Sequence, residues 1–471
     1  MDEFTEVEEE GDDGPCGKIG KAMTMACLGI VLFPLSLLML GWNENSYVCE
    51  NNRILYADNK AVVVPNCDNA DLMDKFVFLS CPVLESSLME FTPCVFNGGT
   101  MSCQSQLPVK FRSASGSQNV EMYQCVEECS TKTEKHKNMA GQNEVKKVTT
   151  CTYEMKWATR YHDSSGFKYS LQQISNNGCP DIVKAGGNPQ PPSNMDMGQS
   201  EEFAQSIVVG KSVSSGFTLN KALVDALNPD TPVPLQQFAS GFSGPLPTTS
   251  GIAMPWSRPL AVSAANMGVQ GNYLTTCTVQ QLGCVRASYM QSGATNPSVF
   301  THVETTGLTS KETIPGSWGC SKSKWQAIEK QKMDKAAMVE SLQASNSMKT
   351  WVLRLVGCLI AWLSVYCCFS PISAAADVLG DCINFCPCGG YAEDLLEGVV
   401  DSVLCLMSCG IGCSCALFVI ALVWVAMRPL VGGGLMAVAL LLCCCVAGVR
   451  SQASGKKARD AEYNAPEGYY E

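Results

Sequence analysis

The chain has 471 residues, of which 16% are charged and 46% hydrophobic, and its formal net charge at pH 7 is −11. So little charge is unusual for a soluble chain of this size, and an acidic balance argues against a nucleic-acid partner, which is bound through basic surfaces. The composition favours a membrane protein.

The chain begins with a dense run of acidic residues that has almost no apolar content. Such a segment cannot bury enough apolar surface to offset the entropy lost on ordering. We therefore predict that residues 1–21 form a disordered cytosolic tail.

Residues 22–40 form the first apolar stretch, close to the roughly 20 helical residues that cross a bilayer. A long acidic segment precedes it and no small-residue cleavage site follows Leu40, so a retained helix is favoured over a cleaved signal peptide. Lys18 and Lys21 precede this helix, and basic residues follow the last apolar stretch at Arg450, Lys456, Lys457 and Arg459. Because lysine and arginine near helix ends favour the cytoplasmic side, we predict that both termini are cytosolic.

Residues 41–350 are polar and numerous enough to fold as a translocated lumenal α+β domain. Mixed β-branched, aromatic and polar residues predict strands in its first half and again near its end. These predicted strands are Arg53 to Val64, Lys75 to Leu79, Leu107 to Arg112, Val120 to Val126, Val148 to Trp157, Tyr273 to Val279 and Cys284 to Met290.

The later parts of this insert have different patterns. Residues 176–257 are rich in proline, glycine, serine and asparagine, which predicts long surface loops around one short helix at 220–227, capped by Thr218. Residues 322–344 are rich in lysine, glutamine, glutamate, alanine and methionine and lack glycine and proline, which predicts a long helix that enters the second span. A solvated stalk is favoured over a coiled coil or a helix lying on the membrane surface.

Twelve of the 27 cysteines lie in the insert, an even number spread through a polar domain. Such a set is typical of disulfides formed in an oxidising compartment. A zinc site is the alternative, but histidines are few and the insert has no C-x-x-C pair. The disulfide candidates are Cys49, Cys67, Cys81, Cys94, Cys103, Cys125, Cys129, Cys151, Cys179, Cys277, Cys284 and Cys320.

Three more apolar stretches, at 351–372, 403–427 and 430–449, are each long enough to cross a bilayer. They leave a cytosolic loop at 373–402 and a cytosolic tail at 450–471. We thus predict a membrane protein with four transmembrane helices and a large α+β lumenal domain inserted between the first and second helices, with the lipid bilayer as its first partner.

Residue types inside and beside the spans indicate packing. Cys405, Cys409 and Cys413 recur every fourth residue and share one helix face, where small side chains allow close contact. Tryptophans at 42, 351 and 424 are expected to anchor helix ends at the membrane interfaces, and Arg354 lies one turn inside the second span. Acylation is an open alternative at Cys367, Cys368, Cys443, Cys444 and Cys445.

Several strings resemble the transmembrane protein 43 family, also called LUMA. The first string, after the first span, is Trp42, Asn43 and Glu44, and the second is Val120 to Glu127, which includes Glu121, Met122, Tyr123 and Gln124. A third runs from Val145 to Lys147 and leads to Tyr153 and Trp157. The fourth, at the second span, is Asn346, Ser347, Met348, Lys349, Thr350, Trp351 and Arg354, and the fifth, between the last two spans, is Trp424, Arg428, Pro429 and Leu430. Their order and the layout of the spans match the family over about residues 20 to 450, and 176–257 aligns poorly.

The resemblance implies a non-enzymatic, multi-pass scaffold of the endoplasmic reticulum and inner nuclear membrane. It implies membrane protein partners of those compartments, a role in organising complexes and maintaining the nuclear envelope, and self-association into a homo-oligomer. The family brings no catalytic residues and no cofactor.

The sequence itself supplies no established catalytic motif, and three histidines in the whole chain make a histidine-based site improbable. Cys382, Cys386 and Cys388 could supply three thiolates to zinc, but a closed site needs a fourth ligand. We expect no enzyme activity, metal or cofactor. The alternatives are a transporter or channel component and, less favoured, a lumenal thiol oxidoreductase.

Overall fold

The computed structural model describes residues 4–10, 15–92, 95–97, 100–102, 107–137, 143–192, 195–244, 262–304, 307–383 and 389–428. Two units make up the chain. The β-rich unit comprises Met1–Asp12, Ala57–Thr313 and Lys324–Met338, and the helical unit comprises Asp13–Tyr56, Ile314–Ser323 and Val339–Glu471.

Three of the helices are long and apolar, and three are one or two turns long. In chain order they are α1 (Pro15–Lys60), α2 (Leu171–Asn176), α3 (Ile182–Ala185), α4 (Lys221–Val224), α5 (Lys335–Ile383) and α6 (Gly389–Met427). Segments of α1, α5 and α6 are long and apolar enough to cross a membrane, and they contain the first three predicted spans. The fourth predicted span, 430–449, lies outside the described residues.

The strands are short except for one long hairpin. In chain order they are β1 (Phe4–Glu10), β2 (Val62–Val64), β3 (Lys75–Ser80), β4 (Met89–Phe91), β5 (Val95–Asn97), β6 (Thr100–Ser102), β7 (Phe111–Ser113), β8 (Ser115–Lys137), β9 (Asn143–Ala158), β10 (Gly198–Phe203), β11 (Ile207–Val209), β12 (Phe217–Leu219), β13 (Thr231–Pro232), β14 (Gly268–Gln270), β15 (Tyr273–Thr275), β16 (Val285–Gln291), β17 (Ser298–Val303), β18 (Thr309–Ser310), β19 (Glu312–Ile314), β20 (Ser323–Trp325) and β21 (Ala327–Glu329).

The larger sheet of the β-rich unit has the strand order β1-β9-β8-β16-β15-β14, with β10 also paired to β8 and β13 to β16. Its centre is the antiparallel β8–β9 hairpin, whose register runs from Met122 opposite Ala158 to Lys137 opposite Asn143. A second sheet has the order β18-β17-β3-β2, with β21 on β17. The sequence prediction of strands at β3, β8, β9 and β16 agrees with these sheets.

Buried residues of the two sheets form separate cores. One packs Val77 and Leu79 of β3 against Phe217 and Leu219 of β12. Another packs Val120 and Met122 of β8 against neighbouring strands of the larger sheet. The unit is accordingly β-rich, and its helices are short attachments.

The prediction of a strand at Arg53 to Val64 is wrong for most of its length. Helix α1 continues to Lys60, and only β2 is extended. Ile54 is buried within the helical unit and Ala57 within the β-rich unit. Burial along the continuing helix outweighs the β propensity of isoleucine and tyrosine in this segment.

The predicted stalk helix is also corrected at its start. Residues 322–334 contain β20 and β21, and the helix begins only at Lys335. The Trp325 ring packs against those of Phe76 and Phe300 in the second sheet, with centroids 6.5 and 6.1 Å apart, while β21 pairs with β17. The Asp334 side chain accepts a hydrogen bond from the Ala337 amide at 2.7 Å and so caps α5. Tertiary burial here overrides local helix propensity.

The middle segment 176–257 is not a set of surface loops in its described part. It contributes β10 to β13, and residues such as Ile207 and Phe217 are fully buried. The short helix expected at 220–227 is present as α4, but its cap is the Asn220 side chain, which accepts from the Leu223 amide at 3.1 Å, and not Thr218. The high content of turn-forming residues predicted loops, although this segment also contains short strands that pack in the core.

Two segments beside the spans, the acidic tail predicted to be disordered and the predicted cytosolic loop, contain regular secondary structure. Residues 4–10 of the acidic tail form β1, antiparallel to β9, in a register that sets Glu8 opposite Lys147 and Glu9 opposite Lys146. The predicted loop 373–402 is largely helical, since α5 continues to Ile383 and α6 begins at Gly389.

Candidate functional site

One group of polar residues joins the three long helices of the helical unit. Glu44 of α1, Arg354 of α5 and Trp424 of α6 form what we term the Glu44 cluster. Arg354 donates two hydrogen bonds to the Glu44 carboxylate, from Nε to Oε1 and from Nη2 to Oε2, both at 2.6 Å. The Trp424 indole donates to Oε2 at 2.7 Å. All three helices therefore meet at one carboxylate.

Burial of these charged groups carries a desolvation cost that their hydrogen bonds must offset. The Glu44 side chain is 0% exposed and that of Arg354 is 16% exposed. A buried carboxylate costs several kcal/mol in desolvation unless it is paired and hydrogen-bonded. The bidentate guanidinium and the indole satisfy both oxygens, and the planar fork of arginine fixes the geometry in a way that a lysine ammonium would not.

Helical periodicity explains why α5 presents this face. Asn346, Thr350 and Arg354 recur every fourth residue and so lie on one side of the helix. Asn346 Nδ2 donates to the Tyr47 carbonyl at 3.1 Å, and Asn43 Nδ2 donates to the Thr350 carbonyl at 3.2 Å. The polar residues of the two strings at the first and second spans thus form a continuous seam between α1 and α5.

The remaining residues of the second string point elsewhere. Met348 and Trp351 are 72% and 64% exposed, and Lys349 is exposed as well. Arg354 also lies over the Trp351 ring, with its guanidinium carbon 4.7 Å from the ring centroid. Ser347 is half-buried.

The predicted tryptophan anchors have two different environments. Trp42 and Trp351 lie within the continuous helices α1 and α5, beside the ends of the apolar stretches, and both are exposed, as interface residues should be. Trp424 instead donates to Glu44, and its ring lies 6.2 Å from that of Tyr47 and 6.0 Å from the Arg428 guanidinium. Of the last string, Pro429 and Leu430 lie outside the described residues.

A loop of the helical unit reinforces the same end of the bundle. Cys320 forms a disulfide with Cys49 of α1, and the two cysteines are separated by 271 residues in sequence. In the same loop, the Trp318 indole donates to the Ala426 carbonyl at the end of α6, at 2.6 Å. The loop at 314–323 therefore connects the part of α1 around Cys49 with the C-terminal end of α6.

Glycines allow the helices to approach closely. A Cβ added to Gly29 of α1 would lie 2.4 Å from the Ser364 carbonyl oxygen of α5, and one added to Gly412 of α6 would lie 2.8 Å from the Trp362 Cα. Beside this contact, Cys409 and Cys413 of the predicted cysteine face lie 3.9 Å apart through their sulfurs. Small residues set the helix spacing here.

We expect Gly412→Ala to destabilise the bundle by about 1–3 kcal/mol, because the new methyl group must displace the backbone of α5. Gly410→Ala is the matched control, since nothing lies within 4 Å of its added Cβ. Thermal unfolding of both variants in the same detergent should lower the midpoint only for Gly412→Ala. Equal midpoints for the two variants would contradict this packing.

The cysteines of the insert are brought together in pairs. Ten of the twelve disulfide candidates form five bonds, and Cys94 and Cys103 lie outside the described residues. The bonds join Cys49 to Cys320, Cys67 to Cys81, Cys125 to Cys179, Cys129 to Cys151 and Cys277 to Cys284.

One group in the described chain has the composition of a metal site. Possible ligand atoms of Glu127, Cys129 and Cys151 lie within 4.8 Å of one another. The two sulfurs are bonded to each other, however, and metal binding requires thiolates. Glu127 instead accepts a hydrogen bond from the Tyr153 hydroxyl, and burial followed by this hydrogen bond raises the pKa of Tyr153. Cys382, Cys386 and Cys388 have no described side chains.

The string at 120–127 lies in β8 of the β-rich unit and has a structural environment. Val120 and Met122 are core residues, and the buried Gln124 accepts from the His162 amide at 3.0 Å. Glu121 accepts from Arg286 Nε at 2.6 Å. The sequence prediction did not single out Arg286.

Arg286 is held by aromatic rings as well as by Glu121. Its guanidinium carbon lies 4.3 Å from the ring centroids of both Trp157 and Tyr273. Two aromatic faces and a carboxylate immobilise this guanidinium at the surface of the larger sheet. Only its charge opposite Glu121, at 165 residues' separation, could have indicated the pair from sequence.

Comparison with known proteins identifies a family model that matches the chain. The family model described as Transmembrane protein 43 matches residues 122–429, well over half of the chain. Neither the curated proteins nor the solved structures contain a match.

Proposed function

Because the chain belongs to the transmembrane protein 43 family, we propose that it is a non-enzymatic scaffold of the endoplasmic reticulum and inner nuclear membrane. In this proposal it organises membrane protein complexes, contributes to nuclear envelope structure and associates with further copies of itself. Its partners are membrane proteins of those compartments. Membership of a membrane protein family and three apolar helices place it in a lipid bilayer.

The Glu44 cluster is the observation that carries the scaffold proposal. Charged residues within helix bundles often mark ion paths, where they face water. Here Glu44 and Arg354 neutralise each other, and the carboxylate has no exposed surface. A buried charge pair whose hydrogen bonds hold the helices together favours a rigid scaffold over a channel or transporter, whose helices must move.

The same pair also favours the alternative, a transporter or channel component, because ionisable groups between membrane spans are costly and often mark ion paths. The two functions differ in what the pair must do. A transporter would have to separate Glu44 from Arg354 during its cycle, whereas a scaffold keeps them joined. Tracer uptake into vesicles that contain the purified unaltered chain, above the uptake into vesicles without it, would support transport and contradict a purely structural role.

We further propose that α1 crosses the bilayer, with the N-terminus cytosolic and the β-rich unit lumenal. The five disulfides support an oxidising compartment for residues 49–320. The β1–β9 pairing opposes this topology, because a strand before a membrane-crossing helix cannot pair with a strand beyond it. In the membrane, therefore, either α1 does not cross the bilayer or β1 does not pair with β9.

The free energies of the two alternatives favour membrane insertion of α1 over the β1–β9 pairing. Residues 22–40 contain nine leucine, isoleucine, valine and phenylalanine residues. At about 0.3–0.6 kcal/mol each, they stabilise insertion by about 3–5 kcal/mol. Cross-strand pairs contribute about 0.2–1 kcal/mol each, and fixing each backbone residue costs about 1–2 kcal/mol. On these figures the pairs of a seven-residue edge strand contribute no more than ordering its backbone costs, so the pairing should be the one that is lost.

Protease protection in sealed vesicles tests the topology. We expect a tag before Asp2 to be digested and a tag in the exposed turn at Gly271, between β14 and β15, to be protected until detergent is added. Protection or digestion of both tags together would show that α1 does not separate them, and would support the β1–β9 pairing instead.

The scaffold role is tested by co-isolation and labelling. Two differently tagged copies expressed together should be recovered as one complex, and a peroxidase fused in the Gly271 turn should label membrane proteins of the nuclear envelope. A lumenal peroxidase anchored by an unrelated single span is the control. Recovery of single copies with the same labelled set as the control would contradict both self-association and scaffolding.

A further inference from the structure

A polar pocket of about 410 Å³ lies in the helical unit, beside the Glu44 cluster. We call it the interface pocket. Its walls are the segment of α1 from Trp42 to Arg53, the segment of α5 from Asn346 to Leu353, and residues 319–321 of the disulfide-bonded loop. The volume falls within the range of small-molecule sites.

The depth of this pocket relative to the apolar stretches is defined by the sequence. The apolar part of α1 ends at Leu40, and that of α5 begins at Trp351. The pocket lies just beyond the first point and on both sides of the second. This is the level at which lipid headgroups meet a membrane protein, and exposed Trp42 and Trp351 are typical of it.

The charges of the lining favour an anion. Lys349 is exposed, and among the described residues no carboxylate lies within ion-pair distance of it. Arg53 donates through Nη1 to Glu50 at 2.9 Å, which leaves other guanidinium donors. With two cationic side chains and one carboxylate, the lining carries a net charge of +1. Ser46 and Leu353 add a hydroxyl and an apolar wall.

The walls are also held in place. The Cys49–Cys320 disulfide fixes the loop to α1, and the hydrogen bonds of Asn43 and Asn346 fix α1 to α5. A pocket whose walls are fixed before binding loses little conformational entropy when it is filled.

We propose that the interface pocket binds the glycerol phosphate group of a membrane phospholipid, with the phosphate beside Lys349 and Arg53 and the acyl chains passing Leu353 into the bilayer. Basic pockets between membrane helices are suited to phosphate headgroups. The occupant is a lipid and not a free phosphate ester, because the pocket is continuous with the level at which acyl chains begin.

Native mass spectrometry of the delipidated full chain in detergent tests the site. The probes are palmitoyl-oleoyl phosphatidic acid, the matching diacylglycerol, which lacks phosphate, and glycerol 3-phosphate, which lacks acyl chains. We expect saturable binding of one phosphatidic acid, and binding of each other probe at least about 100-fold weaker. Tight binding of diacylglycerol would overturn the phosphate site, and tight binding of glycerol 3-phosphate alone would overturn the lipid assignment.

Variants locate the bound lipid. Lys349→Gln should weaken phosphatidic acid binding about tenfold, the effect of one charge-assisted hydrogen bond, and Lys349→Arg should retain most of it. Lys211→Gln, at an exposed lysine of the β-rich unit, is the control and should bind as the unaltered chain does. Equal binding by Lys349→Gln and Lys211→Gln would place the lipid elsewhere and overturn the proposal. Because Lys349 is exposed, its replacement should leave thermal unfolding unchanged, which separates this outcome from failure of the scaffold function.

Discussion

Replacing Glu44 with glutamine should lower the stability of the helical unit by about 3–5 kcal/mol. The substitution removes one charge and leaves the Arg354 guanidinium, which is 16% exposed, without a carboxylate. An unpaired buried charge is the reason for this magnitude, since loss of one partner of a buried pair costs far more than the pair is worth. Arg354→Met should be equally harmful, because it isolates the fully buried carboxylate.

The matched control lies two turns further along α1. Glu50 pairs with Arg53 at 2.9 Å, but both side chains are about one-third exposed. Glu50→Gln makes the same chemical change in a solvated pair, which contributes only about 0–1 kcal/mol. Thermal denaturation in one detergent should lower the midpoint by about 10 °C for Glu44→Gln and by no more than about 2 °C for Glu50→Gln.

The double variant Glu44→Gln, Arg354→Met decides whether burial is the cause. With both charges removed, no uncompensated ion remains, so the double variant should be more stable than either single variant. Additive losses would mean that each residue acts through separate packing contacts. Because the Trp424 indole can still donate to the glutamine oxygen, α6 should stay attached in Glu44→Gln.

Features that depend on local sequence were predictable. The three described spans follow from apolar runs of sufficient length, and strands β3, β8, β9 and β16 follow from their β-branched and aromatic content. The ten paired cysteines follow from an even set in a polar insert, although their connectivity could not be read from spacing.

Features that depend on distant partners were not predictable. Glu44 and Arg354 are 310 residues apart, and only their opposite charges at the polar ends of two spans indicate a pair. Residues 322–334, predicted as part of the stalk helix, are extended because Trp325 packs on Phe76 and Phe300. Intrinsic helix propensity depends on the local sequence and cannot report such a distant contact. The core strands within 176–257 are only three residues long at β11 and β12, too short for a periodic signal.

Removing the Cys49–Cys320 disulfide should have the second large effect. Chain-entropy stabilisation by a cross-link grows with the length of the closed loop, and a separation of 271 residues corresponds to about 6 kcal/mol. The matched control is Cys277–Cys284, whose separation of 7 residues corresponds to about 2 kcal/mol. Urea midpoints, read by pulse proteolysis under non-reducing conditions, should fall further for the Cys49→Ser, Cys320→Ser variant than for Cys277→Ser, Cys284→Ser.

Gel mobility gives a second, independent readout of the same bond. In denaturing detergent without reductant, the intact chain should migrate faster than the reduced chain, because closed loops compact the unfolded polypeptide. The loop closed by Cys49 and Cys320 contains most of the β-rich unit. The Cys49→Ser, Cys320→Ser variant should therefore lose most of the difference, while the Cys277→Ser, Cys284→Ser variant keeps it. If the two variants migrate alike, Cys49 and Cys320 are not bonded, and the loop at 314–323 is held only by contacts such as that of Trp318 with Ala426.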